Sequence, residues 1–119
     1  MAQTMNKMSE GENLNNKKLS SANNELLASI FEPKEEKSKK EKLANKGMQN
    51  LIEVLDDQDA SARELELSRS ILDNYLRQGG AGAADFAQKA VNKYKKSKGP
   101  EHEFTAEFDK VASLLKNAN

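Results

Sequence analysis

Between residues 60 and 74 the chain spells out the start of a helix, because Ser61 and Glu64 stand just ahead of an apolar stripe. A serine at that place accepts from the backbone N–H three residues on, and the glutamate reaches back to the serine's own N–H. Two donors that a helix start leaves unpaired are thereby satisfied reciprocally. Leu65, Ile71, Leu72, Tyr75 and Leu76 then fall on one broad face, with Glu64, Glu66, Arg69 and Asp73 left for water. A short helix upstream, over residues 48–56, carries Met48, Leu51, Ile52 and Leu55 at helical spacing, and only the acidic turn Asp56-Asp57-Gln58-Asp59 separates the two. Helices joined so closely pack as neighbours, so a helical hairpin is the first expectation.

Downstream, Gly79-Gly80-Ala81-Gly82 ends the capped helix and is a candidate hinge, glycine being the residue that best tolerates a left-handed terminus. Phe86, Ala87, Ala90, Val91 and Tyr94 predict an amphipathic helix to about residue 98. Gly99-Pro100 breaks it, and Pro100 suits the first turn of a last helix bearing Phe104, Phe108, Val111, Ala112 and Leu115. No segment alternates with β-branched residues as a strand does. The expected fold is all-α, a small helical hairpin or bundle of about four helices over residues 47–119.

Residues 1–46 read as a mostly disordered tail. Residues 1–20 are polar, with isolated Leu14 and Leu19 and no sustained period. Over residues 22–31, Leu26, Leu27, Ile30 and Phe31 gather on one side of a short helix that stops ahead of Pro33. Such a helix is marginal alone, leaving two readings: it fluctuates or packs on the main body, or it is a motif that folds on a partner. The mixed charge run over residues 34–46 has only Leu43 to bury, and is either a solvated helical lead-in or a flexible linker. The large apolar residues from Met48 onward are few for an independent core, which favours self-association or a partner.

The chain of 119 residues has no cysteine, which removes disulfides, thiolate metal sites and cysteine nucleophiles. No apolar run approaches the roughly 20 residues of a membrane span, and no apolar signal core follows Met1. A cytoplasmic protein is the expectation. The single histidine, His102, lies between Glu101 and Glu103, where acids suit the first turn after Pro100, so it reads as part of a surface helix rather than a general base or metal ligand. Asp56, Asp57 and Asp59 lack the glycine and closing glutamate of a calcium loop and read as a capped, solvated junction. The glycine-rich stretch has neither the lysine of a phosphate loop nor a preceding strand. No catalytic, cofactor or metal residues are expected, and the chain reads as non-enzymatic.

Charge is balanced overall, with a formal net charge of zero, but it is unevenly distributed. Lys89, Lys93, Lys95, Lys96 and Lys98 crowd residues 83–98 against Asp85 alone. Such a cluster can follow phosphates, each contact releasing counterions. Lysines near a helix C-terminus also complement its dipole, and Tyr94 suits core packing as well as base stacking. Opposite charge on the 47–82 and 83–98 segments would favour head-to-tail contact between subunits.

The runs Leu51-Ile52-Glu53-Val54-Leu55 and Ala60-Ser61-Ala62-Arg63-Glu64-Leu65-Glu66-Leu67-Ser68-Arg69-Ser70-Ile71-Leu72-Asp73-Asn74 resemble the helical hairpin of small terminase subunits of short-tailed double-stranded DNA phages. That family's pattern is a helix ending in Leu residues, an Ala-Ser/Thr-Ala cap, Glu-Leu, an Arg, and a Leu before Asp/Asn. The resemblance implies a non-enzymatic DNA-packaging subunit that forms rings, holds viral DNA and stimulates a large terminase subunit. Leu65, Ile71 and Leu72 would then build the ring-forming hairpin, and the five lysines would be the DNA surface. No helix-turn-helix with a recognition helix can be picked out. The competing reading is a helical adaptor, chaperone-like or inhibitor protein. It would bind another protein through Leu26, Leu27, Ile30 and Phe31, or through Phe104, Phe108, Val111 and Leu115.

Overall fold

The capping box is formed: the Glu64 N–H donates to Ser61 Oγ at 3.1 Å, and the Ser61 N–H donates to Glu64 Oε1 at 2.9 Å. It opens one of four helices in a computed structural model that describes the backbone of residues 2–118 and the side chains of residues 14–33 and 35–117. The helices are α1 (Ala2–Phe31), α2 (Lys37–Leu55), α3 (Ala62–Lys98) and α4 (Ala106–Ala118), with a 3-10 turn at Lys34–Glu36 and no strand among the described residues. The fold is all-α.

Cross-helix contacts give the directions. Asn50 Nδ2 donates to Glu25 Oε1 at 3.1 Å, and Lys18 pairs with Glu53 at 3.2 Å, so α1 and α2 are antiparallel. Asn15 reaches both Asp57 and Glu64, which places the start of α3 beside α1, and Ile30 lies by Gly79, so α1 and α3 run together. At Gly80 the helix breaks, with φ 68° and ψ −150°, a left-handed geometry that favours glycine. The chain then doubles back: Phe86 lies near Lys40 and Ala44, and Tyr94 reaches Asp56, so the second arm of α3 follows α2. Gly79 lets this reversal close tightly, since a Cβ there would lie 2.5 Å from that of Ala83. α4 returns along the first arm, with Arg69 paired to Glu107 at 3.3 Å. The result is an up-down bundle of five rods made from four helices.

α2 is the central rod, packed by α1, α3 and α4. For that reason Val54 is as buried as Leu51, Ile52 and Leu55, although a one-sided stripe would leave it out. The charge run before it is the helical lead-in of the two alternatives, its residues 37–39 exposed and Ala44 buried.

Of the residues expected to form an N-terminal tail, 14–31 belong to a helix packed on the rest of the molecule. Residues 1–13 lie outside the described side chains. Residues 14–20 belong to α1, where Leu19 is fully buried and Asn15 nearly so. The face that packs is Leu19, Ala22 and Leu26, at i, i+3 and i+7, rather than the 22–31 stripe as a whole. These residues supply apolar surface that the segment from Met48 lacks by itself, and join its core cluster. Close approach depends on Gly47: a Cβ there would lie 2.8 Å from Leu26 Cγ and 3.2 Å from the Ala22 carbonyl oxygen.

Gly47→Ala is therefore expected to destabilise by about 1–2 kcal/mol, even though alanine is the better helix former by ~1 kcal/mol. Gly82→Ala, whose added methyl meets open space, is expected to stabilise by about 0.5–1 kcal/mol. Urea unfolding of both variants checks this, and equal stabilisation would contradict the tight crossing of α1 and α2.

Candidate functional site

Asp56 closes the C-terminus of α2, yet its carboxylate is not part of a solvated junction. The side chain is 2% exposed. Tyr94 donates its hydroxyl to Oδ2 at 2.7 Å, His102 Nε2 lies 2.7 Å from the same oxygen, and the Thr105 N–H donates to Oδ1 at 3.0 Å. With a carboxylate as partner, Nε2 is the nitrogen that carries the proton. Thr105 also donates its hydroxyl to the Leu55 carbonyl at 2.6 Å and accepts from the Phe108 N–H at 3.1 Å, which makes it the cap of α4. Burial pushes the Asp56 carboxyl up, but the hydrogen bonds from Thr105, Tyr94 and His102, with the histidine's charge, outweigh it and hold the group below its ordinary value of 3.8. Burial and then the Asp56 acceptor push the Tyr94 hydroxyl well above the usual phenol range.

These contacts correct two expectations. His102 is not on the first turn of a helix: α4 begins at Ala106, and residues 99–105 form a loop drawn onto Asp56. Asp56 is buried, and Asp57 is the residue that caps the turn, accepting from the Asp59 N–H at 2.9 Å. A His, an Asp and a Tyr thus meet, but their polar atoms face one another and the set works as a clasp. The adjoining rings extend it, with Phe104 stacked on Phe108 at 4.8 Å and Tyr94 5.3 Å from Phe108.

The five lysines lie at the far end of α3, all exposed, but not equivalent. Lys89, Lys93 and Lys96 share one face at i, i+4 and i+7, and Lys89 also pairs with Asp85 at 3.2 Å. Lys98 turns over the Tyr94 ring at 5.2 Å and Lys95 over Phe108 at 6.0 Å. Tyr94 is buried against that cluster, so it is not available to stack on a base. Lys95, Lys96 and Lys98 in the last turn also complement the helix dipole.

The expected protein-binding residues divide sharply. Leu26, Ile71, Leu72 and Phe108 are core residues, as are Val111 and Leu115, because each stripe faces a neighbouring helix of the same chain. Leu65 and Phe104 are half-buried against that core. Leu27 and Ile30 flank the packed face of α1, and Phe31 stands 73% exposed. Periodicity identifies an apolar face but not what covers it. The sequence reading missed Leu67 and Leu114, which are 45% and 60% exposed, and Leu114 adjoins an apolar groove between α3 and α4. A second groove of about 660 Å³, of mixed polar and apolar lining, lies between α1 and the first arm of α3, with Asn16, Asn23 and Arg63 beside Leu19, Leu67 and Ile71.

Among the described residues no group of three acidic, histidine or cysteine side chains is placed to hold a metal, and no helix is long and apolar enough to cross a membrane. No protein-family model, curated protein or solved structure matches the chain.

The clasp has a pH signature. A depressed folded pKa contributes stability that is present above the ordinary value of 3.8 and is lost as pH falls through the folded value. Asp56→Asn is expected to lose about 2 kcal/mol at neutral pH, the order of a disrupted set of charge-assisted hydrogen bonds. The gap from wild type should narrow as pH falls below 4, by roughly the linkage just described. Denaturant midpoints across the acid range measure it, and a gap that stays constant would contradict the role of the ionised carboxylate.

Proposed function

We propose that the chain is a non-enzymatic subunit that contacts DNA through the face of α3 bearing Lys89, Lys93 and Lys96, of the packaging type that the resemblance over residues 51–74 implies. The observation that carries this reading is the exposure of these three lysines on one line, at the end of a helix whose position is fixed by the Asp56 clasp. At a rise of ~1.5 Å per residue the three span about 10 Å of helix, a length over which one DNA strand presents several phosphates. Lys95 and Lys98, drawn over aromatic rings, lie on the other side of the helix and are not counted in this face. One such face gives few phosphate contacts, so useful affinity requires several copies acting together. On this reading the chain works as a homo-oligomer in the cytoplasm of a bacterial host and hands DNA to a large terminase subunit.

A protein-binding adaptor is the second reading, and the observation that favours it is Phe31, an aromatic side chain left in water at the end of α1.

The combined variant Lys89→Ala, Lys93→Ala and Lys96→Ala keeps a helix-forming sequence and should fold. If the three lysines each neutralise a phosphate, the slope of log affinity against log salt should fall in magnitude by about 2.7, since each contact contributes ~0.9. Fluorescence anisotropy with duplex DNA over a salt series reads this slope. An unchanged slope, or no binding by the wild-type chain at low salt, rejects the DNA reading.

A further inference from the structure

Lys42 and Lys46 stand one turn apart on α2, both exposed. Their place relative to α3 follows from two lines of residues at seven-residue spacing, a spacing that keeps to one side of a helix. On α2, Lys42, Gln49 and Asp56 form one such line, and Asp56 is the residue that takes the hydroxyl of Tyr94 from the second arm of α3. On that arm Phe86 and Lys93 form the other, and Phe86 lies beside Lys40 and Ala44 of α2. Each line thus runs along the edge that meets the other rod. Lys42 and Lys93 are exposed, so they flank the seam between the two rods on its solvent side. Lys46 and Lys96 are each one turn further along and are exposed as well. With Phe86 level with Ala44, the four lysines occupy a strip on the order of 20 Å long that passes from α2 to α3.

None of the four is paired with a carboxylate among the described residues. The acids nearest the strip are engaged elsewhere. Glu53 accepts from Lys18 at 3.2 Å and from Gln49 at 3.0 Å, Asp85 pairs with Lys89 at 3.2 Å, and Glu32 pairs with Lys39 at 3.3 Å. Glu41 borders the cavity at the foot of the seam together with Lys40, and the two offset each other. Glu35 and Glu36 belong to the turn before α2, where they complement its N-terminal dipole. The strip therefore keeps its positive charge. Like charges so placed repel one another, and a row of anions relieves that repulsion on binding.

We propose that Lys42 and Lys46 of α2 join Lys93 and Lys96 of α3 in one strip that binds the backbone of double-stranded DNA. The inference rests on the DNA reading above and deepens it, by adding a second helix to the contact face and by naming the duplex as its ligand. Charge density favours the duplex, which carries one phosphate per ~1.7 Å of axis when both strands are counted, twice that of either strand alone. Packed helix axes lie ~8–10 Å apart, so the two halves of the strip reach laterally separated phosphates, and a single strand following one rod leaves the other half empty. The strip also lacks a stacking platform for unpaired bases. α2 carries no aromatic residue, and the two on the second arm of α3, Phe86 and Tyr94, are half-buried and buried.

The variant Lys42→Ala with Lys46→Ala places a good helix former at two exposed helical positions and should fold, which circular dichroism verifies. Fluorescence anisotropy on the full chain is measured over a salt series, with a duplex and with one of its strands alone. The wild-type chain is expected to hold the duplex more tightly than the single strand. On the duplex, the slope of log affinity against log salt should fall in magnitude by about 1.8 in the variant, each lost contact contributing ~0.9. Arg63→Ala with Lys116→Ala removes the same charge from exposed positions on the first arm of α3 and on α4, and should leave the slope unchanged. An unaltered slope in the α2 variant, while the triple α3 variant still lowers it, overturns the strip and leaves the lysine face of α3 standing. An equal fall in the Arg63 and Lys116 control overturns it too, since the effect is then one of net charge. A single strand held as tightly as the duplex overturns the choice of ligand. No binding of either by the wild-type chain at low salt rejects the DNA reading and this inference with it.

Discussion

A carboxylate at the C-terminus of a helix faces the negative end of the helix dipole, and Asp56 occupies that place while buried. Neither condition is favourable for an ionised group. Both are met because Tyr94, His102 and Thr105 bring their donors to the same two oxygens. The donors come from the end of α3 and from the loop before α4, so satisfying one side chain of α2 requires two other elements to be in place at once. The dependence is mutual: without Asp56 the Tyr94 hydroxyl and the Thr105 amide would be left wanting at a half-buried junction. Thr105 carries the linkage onward, because the threonine that donates to Leu55 also caps α4. The C-terminal half of the molecule is in this sense organised around one residue.

Two backbone constraints complement that clasp. Gly47 brings α1 close enough for Leu19, Ala22 and Leu26 to enter the core, and the reversal at Gly80 turns one long helical stretch into two rods that embrace α2. These constraints determine which surfaces remain. Stripes that would serve as interfaces on isolated helices are consumed inside the bundle. What stays outside is a lysine face at the end of α3, an aromatic knob at the end of α1, and an apolar groove between α3 and α4. The lysine face is the basis of the DNA reading, and the exposed Phe31 ring that of the protein-binding one.

The features legible in the sequence were those set by neighbours along the chain. The Ser61–Glu64 box, the break at Gly80, the helical stripes and the absence of strands all follow from spacing or from one residue's backbone preference. The Asp56 clasp was not legible, because its partners lie 38 to 49 residues away and nothing local marks Asp56 as different from Asp57. His102 was misplaced for the same reason: its acidic neighbours and Pro100 describe a good helix start, but tertiary hydrogen bonds draw the segment into a loop. Leu19 stands isolated in the sequence because the core cluster it joins is built from other helices. The sequence places the five lysines together, but the turning of Lys95 and Lys98 over aromatic rings, away from Lys89, Lys93 and Lys96, depends on α3 and α4 packing.

Asp56 makes α4 and the second arm of α3 one cooperative unit with α2. Native-state hydrogen exchange measures this directly, by comparing the opening free energies of the amides of Thr105 and of residues 108–115 with those of residues 51–55. One shared value, falling together in Asp56→Asn, is the result expected of a single unit. A lower value for α4 in the wild-type chain, unaffected by that substitution, would show that α4 opens by itself and would contradict the account.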